Sequence, residues 1–469
     1  MIWHIAKYEL YDNLNSLRFA LAMLLLLALM ITNAILHLQD HPVQMQKYSD
    51  SITASQKALT SRTDLYDLAQ GGPGMLYKRP SVLRFCADGG DTFLPAVVDA
   101  GGYGWAIENS LKGFWRLRYP TVTPHLKNIR PDVIKVDWSF IVGYVLSLVA
   151  LMFSYDSISG EREQGSLRLM LANPIPRYTI MLGKFLGAFI SINIPFTLAV
   201  LVNLLMISTS SDVHLDAEAW RRLGIIYFIA ILYMCLFLAL GILVSARVHR
   251  SAVSLIILLL IWIILVVFMP NTLSSLGSGF LSTMSFDEYW ERKEQLYDEL
   301  EKEYNARLQG TPKSSPKRIQ LASEYVTKDA KYQEHLVQEY LNQQIVQVRN
   351  IRSFIQISPV AILHHLFESF SGTGFERHEH FLGNVTRYAR QYRQFVRDTD
   401  NADPESLHFI GVREGMSQKP VSPKAIPVFE DTLSLNHDFN KASTKFLLLV
   451  LFLVVLLLGT YLAFVRVEI

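Results

Sequence analysis

Charge is scarce in this chain. Asp, Glu, Lys and Arg make up 18% of its 469 residues, against roughly 25% in ordinary soluble proteins. Cysteine is scarcer still. Cys86 and Cys235 are the only two, too few for a disulfide framework. One falls in a polar segment and the other in the middle of an apolar one, so they are expected never to pair. An excess of one sign is also missing: 44 Lys and Arg against 42 Asp and Glu give a formal net charge of +2. With no dense basic patch interleaved with aromatics, no nucleic-acid partner is expected. The chain carries no Gly-x-x-x-x-Gly-Lys-Ser/Thr loop, whose amides and lysine would cradle phosphates. It has no Gly-x-Ser-x-Gly turn and no His-Glu-x-x-His pair either. No catalytic residue, metal ligand or cofactor is therefore assigned to it, and any energy source must lie in another chain.

What is abundant is apolar. Hydrophobic residues reach 50% and mean hydropathy is +0.22. Most of the excess sits in six blocks of about 18 to 28 residues, near the length that crosses a ~30 Å hydrocarbon core. They fall at 19–38, 138–153, 180–207, 223–244, 252–269 and 446–465. The first follows a polar stretch, 1–18. It is longer than the roughly 7–15 apolar residues of a signal peptide and no small-x-small site follows, so it reads as an anchor. The expected class is a mainly α membrane protein with six transmembrane helices. Short-loop charge orients it: Arg162, Arg168 and Arg177 in 154–179, Arg247 and Arg250 in the tight turn, and Arg466 all share a face with Lys7 and Arg18. The Lys/Arg bias makes that face cytoplasmic, with both termini inside a cell inner membrane. Arg221 and Arg222, at the end of the short outside loop 208–222, oppose this.

Two large extracytoplasmic segments remain, 39–137 and 270–445. The second is strongly helical. Tyr289, Trp290, Tyr297, Leu300, Tyr304 and Leu308 recur every three to four residues among dense Glu and Lys, whose carboxylates read as a solvated face. After the Gly310–Pro316 breaker, Leu321, Tyr325, Tyr332, Leu336, Tyr340 and Ile345 form a second run ending at Ser358-Pro359, so the pair predicts a helical hairpin. The hairpin is expected to project as a docking surface, unless its tyrosine stripe is core. A further helix is predicted over 376–397. In the first segment 44–68 reads as helix, and 71–104 as loop with short strands. His364, His365, Glu368, His378 and His380 suggest a metal-dependent hydrolase, but their spacing puts them on different helix faces and surface or interfacial histidines are expected instead.

Two constellations inside the membrane core carry candidate function. In the third span, Asn193, Pro195 and Asn203 are costly in lipid unless they face another helix or a wet cavity, so they mark a candidate translocation path. Alternatively both asparagines bond neighbouring helices and Lys184 snorkels to the surface. The second constellation is a short charged helix with an apolar side at Leu167, Leu169, Met170 and Leu171, stopped by Asn173-Pro174-Ile175-Pro176.

The run Gly160-Glu161-Arg162-Glu163-Gln164-Gly165-Ser166-Leu167, with Pro174, Arg177 and Gly183-Lys184, resembles the segment between the second and third spans of ABC-2 type transporter permeases. The resemblance implies a coupling helix of Glu161, Arg162, Glu163, Gln164, Gly165, Leu167 and Arg168. It would dock on cytoplasmic ATP-binding subunits, which bind the ATP and Mg. It also implies that 2–17 is the family's connecting helix, and that a second permease copy or a paralogue completes a dimer. Arg79-Pro80-Ser81-Val82-Leu83 and Ser358-Pro359 through Ser371-Gly372-Thr373-Gly374 resemble a subset with enlarged extracytoplasmic domains, for which an extracytoplasmic partner protein is conceivable. The implied function is the permease subunit of an exporter or extractor in the bilayer. Competing readings are a membrane-anchored signalling or scaffold protein with a ligand-binding helical ectodomain, and an envelope hydrolase.

Overall fold

The structure is a computed structural model that describes residues 1–91, 94–100, 136–172, 175–210, 213–270, 272–273, 284–312 and 315–466. Helices dominate it. In chain order they are α1 (Ile2–Leu14), α2 (Leu17–Thr60), α3 (Leu65–Gly71), α4 (Trp138–Met152, with a π turn at Ile141–Leu146), α5 (Ser159–Gln164) and α6 (Ser166–Ala172). Then come α7 (Arg177–Ser208), α8 (Ala217–Arg247), α9 (Ser251–Phe268), α10 (Phe286–Leu308) and α11 (Pro316–Ile355). The last three are α12 (Pro359–Ser371), α13 (Gly374–Asn401) and α14 (Leu435–Val465). Strands β1 (Met75–Tyr77) and β2 (Val97–Asp99) pair antiparallel, Leu76 opposite Val98.

Local chemistry sets many of the boundaries. Ser16, Asp137, Asp216 and Ser285 each accept a hydrogen bond from a first-turn amide of the helix they precede, satisfying a donor the helix cannot. α12 ends at Gly372, whose φ of +64° is the left-handed conformation glycine adopts without strain.

Among the described residues, five helices are long and apolar enough to cross a membrane: α2, α7, α8, α9 and α14. The block predicted at 138–153 forms the shorter apolar helix α4. α8 lies at the centre, against α4, α7, α9, α12 and α14, and Tyr233, Phe237 and Ile229 on it are fully buried. A second core, built around Leu336, Tyr340, Phe381, Val385 and Tyr392, forms an outer domain from α3, the strands, α10, α11 and α13.

Several expectations need correction. The first span and the helix read at 44–68 are one 44-residue helix, α2, which passes through Pro42 and stretches about 66 Å at 1.5 Å per residue. The loop at 208–222 is shorter than expected, since α8 begins at Ala217 and takes in Arg221 and Arg222. The histidines are not on the surface. His364 and His365 lie on α12, every residue of which is buried, and His378 is buried on α13; only His380 is half-exposed. α12 was not expected because it is short and its His364, His365 and Glu368 look like surface residues.

The hairpin forms, from α10 and α11, but it is no free rod. Along its length Ser323 Oγ donates to Ile410 O and Arg393 pairs with Glu334, so α11 lies on α13 and the loop after it. Tyr340 is buried with its ring 4.9 Å from that of Tyr289, Tyr325 stacks 4.8 Å from Tyr304, and Tyr332 alone of the stripe is exposed. Replacing Tyr340 by Ser should cost about 3 kcal/mol, as for other aromatic truncations in a core, whereas Tyr332→Ser should cost less than about 0.5 kcal/mol. Thermal melting of the two purified variants checks this; equal melting would remove Tyr340 from the core.

Both cysteines are free. Cys86 is fully buried beside Trp138, and burial pushes its thiol well above the ordinary range. Cys86 should therefore stay unlabelled by an impermeant thiol reagent in the native protein and react only after unfolding, read by mass spectrometry of labelled peptides.

Candidate functional site

The charged segment of 159–172 folds as two short helices, α5 and α6, joined at Gly165 with φ +76°. A non-glycine residue there would be strained. This joint sorts the predicted site residues into two groups. Glu161 and Arg162 turn inward and are half-buried, and Leu167 is buried; Glu163, Gln164, Gly165 and Arg168 face outward. Leu169 joins the outward group, 74% exposed. Leu171, Asn173 and Pro174 lie outside the described side chains and residues.

The inward groups fasten the joint to the bundle. Ser245 Oγ, on α8, accepts hydrogen bonds from Ile158 N and Ser159 N, both at 3.0 Å, supplying the start of α5 with an acceptor. Arg162 donates to Val248 O at 3.1 Å and Ala246 O at 3.4 Å, a cation on the carbonyl end of α8 where the helix dipole favours it. Ser251 Oγ, opening α9, donates to Glu163 at 2.6 Å.

Glu161 makes the decisive contact. Lys184 Nζ, on α7, donates to Glu161 at 2.7 Å and to Glu9 of α1 at 2.5 Å. Lys184 is 2% exposed, so it does not snorkel to the surface as the sequence suggested. Burial pushes the Glu161 carboxyl above its ordinary value, and the Lys184 ammonium opposes that shift. One ammonium therefore holds three helices. α1 approaches α7 closely because of glycine: a Cβ on Gly183 would lie 2.7 Å from Ile5 Cβ, and one on Gly187 2.5 Å from Glu9 Cβ. Asn13 Nδ2 donates to Ser191 Oγ one turn further on. The outward face of α1, with Trp3, Tyr8 and Tyr11 exposed, thus shares an anchor with the outward face of α5 and α6.

The second constellation separates. Asn203 is fully buried; its Nδ2 donates to Met30 O and Asn33 Oδ1, and its Oδ1 accepts from Trp138 Nε1. Asn33 in turn donates to Phe85 O and Val136 O. Both donors and the oxygen of this amide are engaged by α2 and α4, as the alternative reading had it. Asn193 is half-buried and accepts from Tyr227 OH at 3.4 Å, and Thr197 meets the same hydroxyl. Pro195 is buried inside α7, which continues through it. Among the described residues no three His, Cys, Asp or Glu side chains are placed to hold a metal ion.

The bundle of apolar helices carries a charged two-helix joint at one end, and the chain belongs to the ABC-2 family of transporter proteins, which it matches over residues 3–469. It is similar to the protein described as "Probable ABC transporter permease protein NosY" from Pseudomonas aeruginosa, 33% identical over 113 residues, 23% of this chain and 40% of the relative. The like-named protein of Stutzerimonas stutzeri is 31% identical over 127 residues, 26% of this chain and 45% of the relative. The match thus spans less than half the length of these curated relatives.

Sequence reasoning missed Glu9, Ser245 and Gly187. A signal existed for the last: Gly183 and Gly187 are four apart in an apolar run, the spacing that lets helices approach closely. Removing the ammonium should leave two carboxylates facing each other. Lys184→Met is expected to cost about 3 kcal/mol, and adding Glu161→Gln should restore part of it. Melting of the single and double variants checks this; full stability of Lys184→Met would mean that the triad is not a joint.

Proposed function

We propose that this chain is the membrane-spanning permease subunit of an ATP-binding-cassette exporter or extractor, driven by separate ATP-binding subunits. The carrying observation is the division of labour in the charged joint. Its inward residues are bolted to α1, α7 and α8, and Glu163 meets the start of α9, while Gln164, Arg168 and Leu169 stand outward and exposed. A push on the outward face is thereby delivered to several helices at once. In this reading α5 and α6 are the coupling helix. The exposed aromatics of α1 flank it, and the ATP-binding subunit bears on both.

The same reading makes α4 the second of six spans, with both termini cytoplasmic and the outer domain extracytoplasmic. A short α4 is compatible with that role. Most of its side chains are buried against other helices, so it need not match the lipid thickness as an exposed span must. A second copy or a paralogue completes the translocation unit, and substrate moves between the two. Of the residues offered for the path, Asn193 remains the one with an unfilled polar side chain beside a neighbouring helix, whereas Asn203 serves as an anchor.

The outward face is where the proposal is testable. Leu169→Asp combined with Arg168→Glu alters two exposed residues that make none of the anchoring contacts described above. Co-purification of the ATP-binding subunit from native membranes should fall at least tenfold, with unchanged melting of the permease itself. Undiminished co-purification together with undiminished ATP-dependent transport would overturn the assignment.

A further inference from the structure

The outer domain holds a cleft of about 340 Å3 between α11, α13 and the loop that follows α13. Its wall carries three cations and a histidine, Lys331, Arg393, Arg397 and His408, against a single carboxylate, Glu334. That carboxylate is already committed. Arg393 Nη1 and Nη2 donate to its two oxygens at 2.7 and 2.9 Å, and these bonds, with the charges of Arg393 and Arg390, hold Glu334 below the usual carboxylate range. Lys331 makes no hydrogen bond or ion pair among the described residues. The concave surface is therefore positive, and concave charge concentrates the field felt by an entering anion.

The loop side of the cleft is built rather than slack. His408 has φ +57°, the one positive φ outside glycine among the described residues, a conformation costing about 1–2 kcal/mol for an ordinary side chain. Asp400, fully buried beneath it, accepts from Ser406 Oγ at 2.9 Å and Ser417 N at 2.8 Å and lies 3.1 Å from His408 Nδ1. With Nδ1 on Asp400, the opposite ring edge, Nε2, is left for the cleft that His408 lines. Three residues on, Gly411 at φ +85° lies so close to Val326 that an added Cβ would come within 2.7 Å of it. Ser323 Oγ ties the same strand of loop to α11 through Ile410 O at 2.7 Å. Strained backbone held by a buried carboxylate is the kind of arrangement that persists where a side chain must be aimed.

From this geometry we propose that the cleft is a binding site for a small anion bearing phosphate or carboxylate groups, held by Lys331, Arg397 and the Nε2 of His408. Arg393 is the backing of the site, fixed by Glu334. The site is far from the bundle: Ser323 to Glu334 precede the inner end of α11, Ile355, by about 20 to 30 residues, or roughly 30–50 Å of helix. We take the ligand to be a soluble anion. Binding as proposed requires neither ATP nor a partner chain, so it stands or falls separately from the transport reading.

The test is calorimetric titration of the full-length protein in detergent at low salt with pyrophosphate and, separately, citrate. Saturable binding of one anion per chain, with Kd below about 1 mM, is expected for at least one probe. Pyrophosphate alone would assign phosphate chemistry, citrate alone carboxylate. The double variant Lys331→Ala, Arg397→Ala should weaken binding at least tenfold. His408→Asn, which retains a residue tolerant of positive φ, should weaken it severalfold without lowering the melting temperature. Absence of saturable binding for both probes, or equal affinity in the wild type and the double variant, would overturn the proposal. Were the double variant to fold poorly, Lys331→Gln alone, at an exposed and unpaired position, must still reduce affinity.

Discussion

A single buried ammonium shared by two carboxylates from different helices is the constraint on which the inner end of the molecule depends. Lys184 can sit there only because Gly183 and Gly187 let α1 come close enough for Glu9 to reach it, and because Ser245 and Arg162 hold α5 where Glu161 can. The arrangement is unlike a surface ion pair, whose worth is near zero. Moving any one of the three helices alone strands a charge in a poorly solvated place, which costs several kcal/mol. The helices are therefore coupled mechanically: small relative motions are resisted together, and displacement of α5 carries α7 with it.

The opposite end of α7 is fixed with equal economy. Asn203 lies 19 residues beyond Lys184, roughly 28 Å along the helix, close to the thickness of a hydrocarbon core. There its amide joins α2 through Met30 and Asn33, and α4 through Trp138. Asn33 continues the chain of bonds to the backbone at Phe85 and Val136. An amide unpaired in such surroundings would be costly, while one with every partner filled orients its neighbours. α7 is thus a strut with a polar anchor at each end.

These anchors explain what sequence could and could not tell. The long apolar blocks and the tyrosine-rich amphipathic runs were legible because each element's own periodicity records its burial. The joint at 159–172 was legible as a resemblance, yet its division into inward and outward residues was not: Glu161 and Glu163 look alike in a sequence, and only the positions of Lys184 and Ser251 distinguish them. α12 was invisible for the reverse reason. Its burial comes from α8 and α14, remote in sequence, and two of its polar residues meet partners no local pattern specifies: Ser139 for His364 Nδ1, and Arg352, at 2.5 Å, for Glu368.

α12 also accounts for the two sequence stretches whose resemblance pointed to an enlarged outer domain. They lie 290 residues apart, yet Ser81 Oγ donates to Ser371 O, Thr373 Oγ1 to Ala87 O, and Gly374 N to Asp91. Gly89 must be small here, since an added Cβ would fall 2.8 Å from Gly374 Cα. On the other flank Lys445 of α14 pairs with Glu376, whose carboxyl burial would raise but Lys445 and Arg352 hold down at about 2. Below it Arg222 of α8 donates to Phe370 O and pairs with Asp438 at 2.8 Å. α12 is therefore the seat through which the outer domain and the bundle share one polar seam. A domain attached by a flexible linker could move freely while the bundle rearranged. One seated on the Lys445–Glu376 ion pair to α14 and on the hydrogen bond from Arg222 of α8 is held against those two helices.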